Sequence, residues 1–235
     1  MHSYIVLEFS LAVNYFLIFS RTFPHEVSCS TQNAKLKFIM DIPKELQPTG
    51  TMEVHLSNGT TVLLPVCHPI FPLWNGPPVR FDYGKKPVLD HKGEACFAEL
   101  VILRILIEHG WDGVWVETYG GTHYLRTMPN EWKLGSEHVS IPAEKEELLQ
   151  KIWKTAKTTA CFDVFAWRND QVLFCEAKRT GKDRLTTAQK KFIEGSLACG
   201  ISKESLLIIE WTELPIHSMS DRHKGPFQTD KPETE

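Results

Sequence analysis

The clearest hydrophobic pattern in the chain is a pair of short stretches between residues 160 and 178 that are rich in aromatic and β-branched side chains. The polar sequence Arg-Asn-Asp-Gln (168–171) separates them, which is typical of a β-hairpin. With either 169–170 or 168–171 as the loop, Trp167 pairs with Val172, and the same register places Asp163 opposite Glu176. One face of the hairpin then carries Phe162 together with other apolar residues only, and the opposite face is also largely apolar. The pattern predicts strands buried between two layers of an α/β fold.

Other patterns along the chain predict the neighbouring elements. Hydrophobic periodicity, charge order and terminal glycines predict helices over 91–109, 142–157 and from Thr186 or Thr187 to about Cys199. Strands are expected over 114–118 and 206–211, and a hairpin over 52–66 with a type I′ turn at Asn58-Gly59. Residues 67–90 and 122–137 are expected to be irregular.

Composition shifts divide the chain into four parts. Residues 1–39 are predicted to be a hydrophobic or irregular N-terminal extension, and residues 40–90 a small β-rich lead-in. The main domain is expected over 91–212, followed by a mobile tail over 213–235. Glu8 and Asn14 interrupt the apolar start, and no Lys or Arg precedes it. We therefore expect an upstream extension of the reading frame, ahead of a signal peptide or a membrane anchor as alternatives.

Charge and cysteine usage narrow the class of protein. The net charge of −3 argues against a uniformly basic nucleic-acid binder, although a local basic patch is compatible with it. The six cysteines contain no Cys-x-x-Cys pair, and Cys67, His68 and His91 lack the spacing of a zinc site. We expect free cysteines, no clear membrane partner and an intracellular location, in the cytoplasm or in a eukaryotic nucleus.

Candidate chemistry lies at one end of the 160–178 hairpin, where Asp163, Glu176 and Lys178 would share a face. Opposed like charges destabilise a strand pair, and buried charge is costly unless it is paired or binds a metal. The set is therefore either a structural lysine–carboxylate pair or a divalent-metal site with a lysine at its edge. Glu99, in the middle of an apolar helix, either joins this site, pairs with Lys92 or Arg104, or faces solvent. Glu94 is its rival, although the helix dipole explains Glu94 equally well.

A basic segment follows the hairpin directly. Between residues 178 and 191 there are six Lys or Arg residues against one Asp, a local balance of +5. Such a run is often a solvated surface, but next to paired carboxylates it could hold a phosphate backbone.

The order of these residues resembles the PD-(D/E)xK nuclease superfamily. A helix with an internal Glu99 comes first, then Asp163, then Glu176 with twelve residues between the two, then Lys178, and a helix carrying Gln189. The segment 176–190 is similar to VRR-NUC domains, and the segment from Glu99 to Trp111 is similar to the first helix of archaeal Holliday-junction resolvases. The resemblance spans residues 91–212. Phe162 stands where the family name has Pro, and residues 122–158 form a long insert.

The resemblance implies a restriction-endonuclease-like three-layer α/β/α fold with a mixed central sheet and a small N-terminal β segment. It also implies a metal-dependent nuclease that hydrolyses DNA phosphodiester bonds, with Mg²⁺ or Mn²⁺ as cofactor and a homodimer as one arrangement. The implied metal ligands are the Glu99, Asp163 and Glu176 carboxylates and the Ala177 carbonyl. The catalytic set is Asp163, Glu176, Lys178 and Gln189. The residues implied to contact DNA are Arg179, Lys182, Arg184, Lys190 and Lys191.

Two other hypotheses remain open from the sequence. The first is a non-catalytic nucleic-acid-binding or assembly module that retains the nuclease fold. The second is an unrelated α/β protein with a structural ion pair, in which Asp163 and Glu176 would point to opposite faces of the hairpin.

Overall fold

The computed structural model describes residues 40–83, 85–118, 120–130 and 137–214, which lie within one compact unit. The extension predicted over 1–39 and residues 215–235 of the predicted tail lie outside the described residues. The described strands are β1 (Gly50–His55), β2 (Thr61–Cys67), β3 (Ile70–Pro72), β4 (Leu89–His91), β5 (Glu94–Cys96), β6 (Asp112–Glu117), β7 (His123–Leu125), β8 (Val164–Arg168), β9 (Gln171–Arg179) and β10 (Leu206–Leu214). The α-helices are α1 (Ala98–Glu108), α2 (Ala143–Ala156) and α3 (Thr187–Ala198).

The main sheet is mixed and has the strand order β1-β2-β10-β9-β8-β6-β7, with β3 pairing to β10. β10 runs parallel to β9, β2 and β3, whereas β8 runs antiparallel to β9 and β6. The parallel neighbours β9 and β10 are joined through α3, the helical crossover that parallel strands require. The carboxyl ends of β9 and β10 therefore lie at the same end of the sheet, near the start of β8.

Helices cover both faces of the sheet and produce two apolar cores. On one face α1 packs against Val164, Cys175 and Ile209 of the central strands. On the other, α2 and α3 pack against alternating residues of the same strands, including Phe165 and Phe174. The described chain is thus an α/β structure in three layers, as the two-sided apolar pattern of the hairpin predicted.

The predicted register of the central hairpin is confirmed. Trp167 pairs with Val172 and Phe165 with Phe174, whose rings stack at a centroid distance of 4.6 Å. The loop is the two-residue alternative, with Asn169 at a φ of 54°, a conformation that Asn tolerates well. One face assignment is wrong. Phe162 lies before the strand begins, outside its alternation, and packs against Phe192 of α3.

The first helix begins later than predicted. Residues 89–96 form the β4–β5 hairpin, whose Lys92-Gly93 turn has φ values of 55° and 85°, and Asp90 Oδ1 accepts a hydrogen bond from the Gly93 N–H. The predicted helical start is wrong because this turn reverses the chain before Ala98. Glu94 consequently lies on a strand and pairs with Arg104, so the helix dipole does not explain it.

Four further predictions need correction. Residues 123–125 of the predicted loop pair with β6, and residues 70–72 of the predicted irregular segment pair with β10. The hairpin predicted over 52–66 is present, but its connection spans residues 56–60 rather than a type I′ Asn-Gly turn. Asn58 instead accepts a hydrogen bond from the Thr60 N–H through its side chain. Strand β10 extends to Leu214, so the first two residues of the predicted tail belong to the sheet.

The predicted lead-in shares the main sheet, because β2 pairs in parallel with β10. The cysteines of the described ranges are free, and four of the five are buried among apolar side chains. Within those ranges, none of the helices has the length and apolar character needed to cross a bilayer.

Candidate functional site

Four elements bring the predicted site residues together at one end of the sheet. Asp163 directly precedes β8, Glu176 and Lys178 lie on β9, and Gln189 lies in the first turn of α3. Glu99 lies in the first turn of α1, on the opposite face of the sheet. The site therefore spans both sides of the β8–β9 pair.

Glu176, Lys178 and Gln189 form one hydrogen-bonded group, in which Glu176 and Lys178 are buried and Gln189 is partly buried. Lys178 Nζ lies 2.7 Å from Glu176 Oε1, and the side chains of these two residues expose only 10% and 1% of their surface. Gln189 Nε2 donates to Glu176 Oε1 at 2.5 Å, and Gln189 Oε1 accepts from Lys178 Nζ at 3.2 Å. These contacts use two of the three N–H donors of the lysine.

Gln189 is held in place by the start of α3. Thr186 caps the helix by accepting the Gln189 N–H at 3.2 Å, and Gln189 Oε1 accepts the Thr186 N–H at 2.9 Å. This reciprocal capping box satisfies two backbone donors at the helix start. The same amide oxygen also receives Lys178, so the helix cap and the buried lysine are coupled through one side chain.

Asp163 is anchored by the neighbouring strand. Its Oδ2 accepts the Ala177 N–H at 2.8 Å, and its backbone carbonyl accepts the Val116 N–H at 2.8 Å. The Glu176 carboxylate acts electrostatically on Asp163, so the two carboxyls lie near one another rather than on opposite faces of the hairpin, the arrangement expected for an unrelated structural pair. Ala177, the predicted carbonyl ligand, contributes its N–H to the Asp163 contact.

Lys86 is a site residue that the sequence analysis missed. It lies in the segment between β3 and β4, and its Nζ is 2.5 Å from Glu99 Oε1. The ammonium also lies 5.2 Å from the ring centroids of both Phe97 and Trp115. Glu99 therefore pairs with Lys86 rather than with Lys92 or Arg104. A Pro- and Gly-rich segment has no periodicity from which this approach could be predicted.

Burial at the site favours proton retention by the Glu176 and Asp163 carboxyls. Burial raises the pKa of Glu176 to about 7, against the opposing effect of Lys178, and Glu99 adds to the rise. Burial also raises the pKa of Asp163 well above its usual range, and the neighbouring Glu176 and Glu99 act in the same direction. Although burial opposes the charge of Lys86, the carboxylates of Glu99, Asp163 and Glu117 raise its pKa.

The residues present fit a divalent cation in chemistry. Asp163, Glu176 and Glu99 offer hard oxygen donors, the type that Mg²⁺ and Mn²⁺ prefer. Glu99 Oε2 and Glu176 Oε2 are buried without a hydrogen-bond partner, so each has a lone pair available to a ligand. In the described ranges, no three Asp, Glu, His or Cys side chains converge closely enough to hold a metal ion as they stand.

The predicted DNA-contacting residues lie in three different settings. Lys182, Arg184 and Lys191 are exposed on the α3 side of the site. Arg179 is tied to the sheet, because it pairs with Glu213 and lies over the Trp211 ring. Lys190 lines a cavity of about 260 Å³ together with Lys178 and Arg184. The acidic residues that line the same cavity are Glu53, Asp183 and Glu210.

Comparisons with known proteins leave the family open. A scan against protein-family models found no match, and searches among curated proteins and solved structures found none either.

Proposed function

We propose that this protein is a metal-dependent nuclease of restriction-endonuclease-like fold that hydrolyses phosphodiester bonds of DNA. The proposal rests mainly on one observation. Asp163, Glu176 and Lys178 lie together at one end of the sheet, and Gln189 orients Lys178. An unrelated structural ion pair would need neither the second carboxylate nor the two unpaired carboxylate oxygens.

Asp163 and Glu176 would hold a Mg²⁺ or Mn²⁺ ion, with Glu99 as the auxiliary carboxylate. When bound, such an ion lowers the pKa of a water ligand and neutralises charge on the phosphate. Proton retention by Glu176 opposes this role at low pH, because a metal ligand must be deprotonated.

Lys178 would stabilise the developing negative charge on the phosphate. Two of its N–H donors are directed at Glu176 and Gln189, which fixes the direction of the third. As an ammonium group held in this way, it has a donor to offer a phosphate oxygen but no lone pair with which to accept a proton. Charge stabilisation therefore suits the geometry better than general-base catalysis.

The exposed Lys182, Arg184 and Lys191 would bind the phosphate backbone beside the site. They lie on the segment that joins β9 to α3 and on α3 itself, next to Lys178 and Gln189. Side chains of this kind position a nucleic acid without reading its sequence.

The test is cleavage of labelled duplex, single-stranded, flapped and four-way DNA with Mg²⁺ or Mn²⁺. Wild type is compared with Asp163→Asn and Lys178→Met, and with the matched controls Asp170→Asn and Lys154→Met, whose side chains are exposed elsewhere. We expect product from wild type and both controls and its loss in both site variants. Equal activity in all proteins would indicate a contaminant. Tight DNA binding without cleavage in any protein would favour the non-catalytic binding module.

A further inference from the structure

The Lys86–Glu99 contact introduces a cation into the acidic end of the sheet. Lys86 and Glu99 are thirteen residues apart, and their contact joins an irregular segment to the first turn of α1. The Glu99 side chain exposes only 7% of its surface, so the carboxylate requires a partner in this position. Lys86 supplies that partner from a segment with no role in the Glu176–Lys178–Gln189 group.

The charge of Lys86 acts on more than one carboxylate. Its ammonium interacts electrostatically with Glu99, then with Asp163 and then with Glu117. Glu99 and Asp163 are two of the three carboxylates assigned above to a divalent cation. The ammonium therefore offsets the same like-charge repulsion that a bound metal ion would offset.

The position of Lys86 also allows its ammonium group to move away from Glu99. Its side chain exposes 33% of its surface, against 10% for Lys178. Lys178 is hydrogen-bonded to a buried glutamate and to the partly buried amide of Gln189, whereas Lys86 contacts Glu99 and lies 5.2 Å from the centroids of two aromatic rings. A lysine has a long flexible stem, so the ammonium can move several ångströms without a change in the backbone.

We propose that the Lys86 ammonium and a divalent cation compete for the Glu99 and Asp163 carboxylates. Metal binding then requires Lys86 to leave Glu99, and Lys86 sets the metal concentration at which the site is filled. This inference rests on the proposed function, because it assumes that these carboxylates bind a metal.

The first test is Mn²⁺ binding in the absence of DNA, measured by calorimetry and by electron paramagnetic resonance of free Mn²⁺. Lys86→Met removes the charge and keeps most of the side-chain volume. Lys85→Met makes the same change at the neighbouring exposed position and is the matched control. We expect Lys86→Met to bind Mn²⁺ about tenfold more tightly than wild type, because a competing unit charge has been removed, and Lys85→Met to bind as wild type does.

The second test observes the displacement of Lys86 in the wild-type chain. The protein is treated briefly with an amine-modifying reagent, with and without Mn²⁺, and modification of each lysine is quantified by peptide mass spectrometry. We expect Mn²⁺ to increase modification of Lys86 and to leave that of Lys85 unchanged. This measurement needs no variant, so it decides the matter even if Lys86→Met and the alternative Lys86→Gln both fail to fold.

The outcomes separate the inference from the proposed function. Two results would contradict competition between Lys86 and the metal ion while leaving the proposed metal site intact. The first is that wild type binds Mn²⁺ but Lys86→Met binds it no more tightly, and the second is that Mn²⁺ protects Lys86 from modification. If neither wild type nor Lys86→Met binds Mn²⁺, the metal site itself is wrong and the nuclease proposal falls with it.

Discussion

Two lysine–glutamate pairs meet at the same end of the sheet, and they are built differently. Glu176 and Lys178 are two residues apart on β9, are almost fully buried, and share hydrogen bonds with Gln189. Glu99 and Lys86 come from a helix and an irregular segment, and the lysine is one-third exposed. The first pair is held by a strand register and a helix cap, the second by packing of a loop against two aromatic rings.

Under the proposed function, the difference assigns separate roles to the two lysines. A donor that stabilises charge in a reaction must be held in one position, which the Gln189 network provides for Lys178. A counter-ion that gives way to another cation must be able to move away, and Lys86 is one-third exposed on a flexible side chain. Removing each lysine should therefore affect different measurements.

The largest expected effect is that of Lys178→Met on the cleavage rate. Loss of one positioned donor to a developing negative charge should lower the single-turnover rate at saturating Mn²⁺ by about 100-fold or more. Lys86→Met should instead lower the Mn²⁺ concentration that gives half-maximal cleavage. Cleavage rates measured over a Mn²⁺ titration distinguish a lower maximum rate from a lower Mn²⁺ requirement. A decrease in the maximum rate alone for both variants would contradict the different roles of the two lysines.

Next in size is the effect of Gln189→Ala on stability. The change leaves the buried Lys178 and Glu176 without their amide partner, which should lower the free energy of unfolding by about 2 kcal/mol. Gln150→Ala, at an exposed position of α2, is the matched control and should be close to neutral. Urea titration in EDTA measures both. A loss for Gln189→Ala no larger than that of the control would show that the network is energetically unimportant.

A smaller effect concerns the pH dependence of stability without metal. The pKa of Glu176 is raised from 4.5 to about 7, so the folded protein binds a proton that the unfolded chain releases. Between these values stability falls as pH rises, and the contribution is lost as pH passes the folded pKa. From pH 8 to pH 6, wild type should gain about 1 kcal/mol relative to Glu176→Gln. An identical pH dependence of the two proteins in EDTA would contradict the assignment.

The smallest expected effect tests the helix cap that supports Gln189. Thr186→Ala removes the side chain that accepts the Gln189 N–H, and should lower the free energy of unfolding by about 1 kcal/mol. Thr187→Ala makes the same chemical change one residue later, inside the helix. Thermal unfolding of both variants isolates the cap. Equal melting temperatures would mean that the cap contributes nothing to holding Gln189.

The central hairpin was predictable because its information is local. Strand alternation and a two-residue polar turn determine which residues face each other, so Trp167–Val172 and Phe165–Phe174 followed from the sequence. The adjacency of Asp163 to Glu176 follows from the same register. The capping of α3 was equally local, since Thr186 precedes a helical pattern with Gln189 at the capping-box spacing.

Pairing between strands that are distant in sequence was harder to predict. The β4–β5 hairpin resembles a helical start in sequence, because residues 91–97 continue into a strongly apolar helix and only the hairpin turn reverses the chain. Composition separates the lead-in from the main domain, although β2 and β10 pair in the sheet from positions more than a hundred residues apart in sequence. Local patterns do not specify such partners, because strand pairing is decided by the competition of all available edges.

The sequence by itself determined the two-sided burial of the hairpin, its register and the common position of Asp163, Glu176 and Lys178. These features follow from the period-2 alternation of a β-strand and from a short turn. Only the tertiary structure decided that Glu99 receives Lys86 and that α1 and α3 contribute to one site from opposite faces of the sheet. Those contacts depend on how a helix, a sheet end and a loop without periodicity pack together, and no short-range rule of the chain encodes that packing.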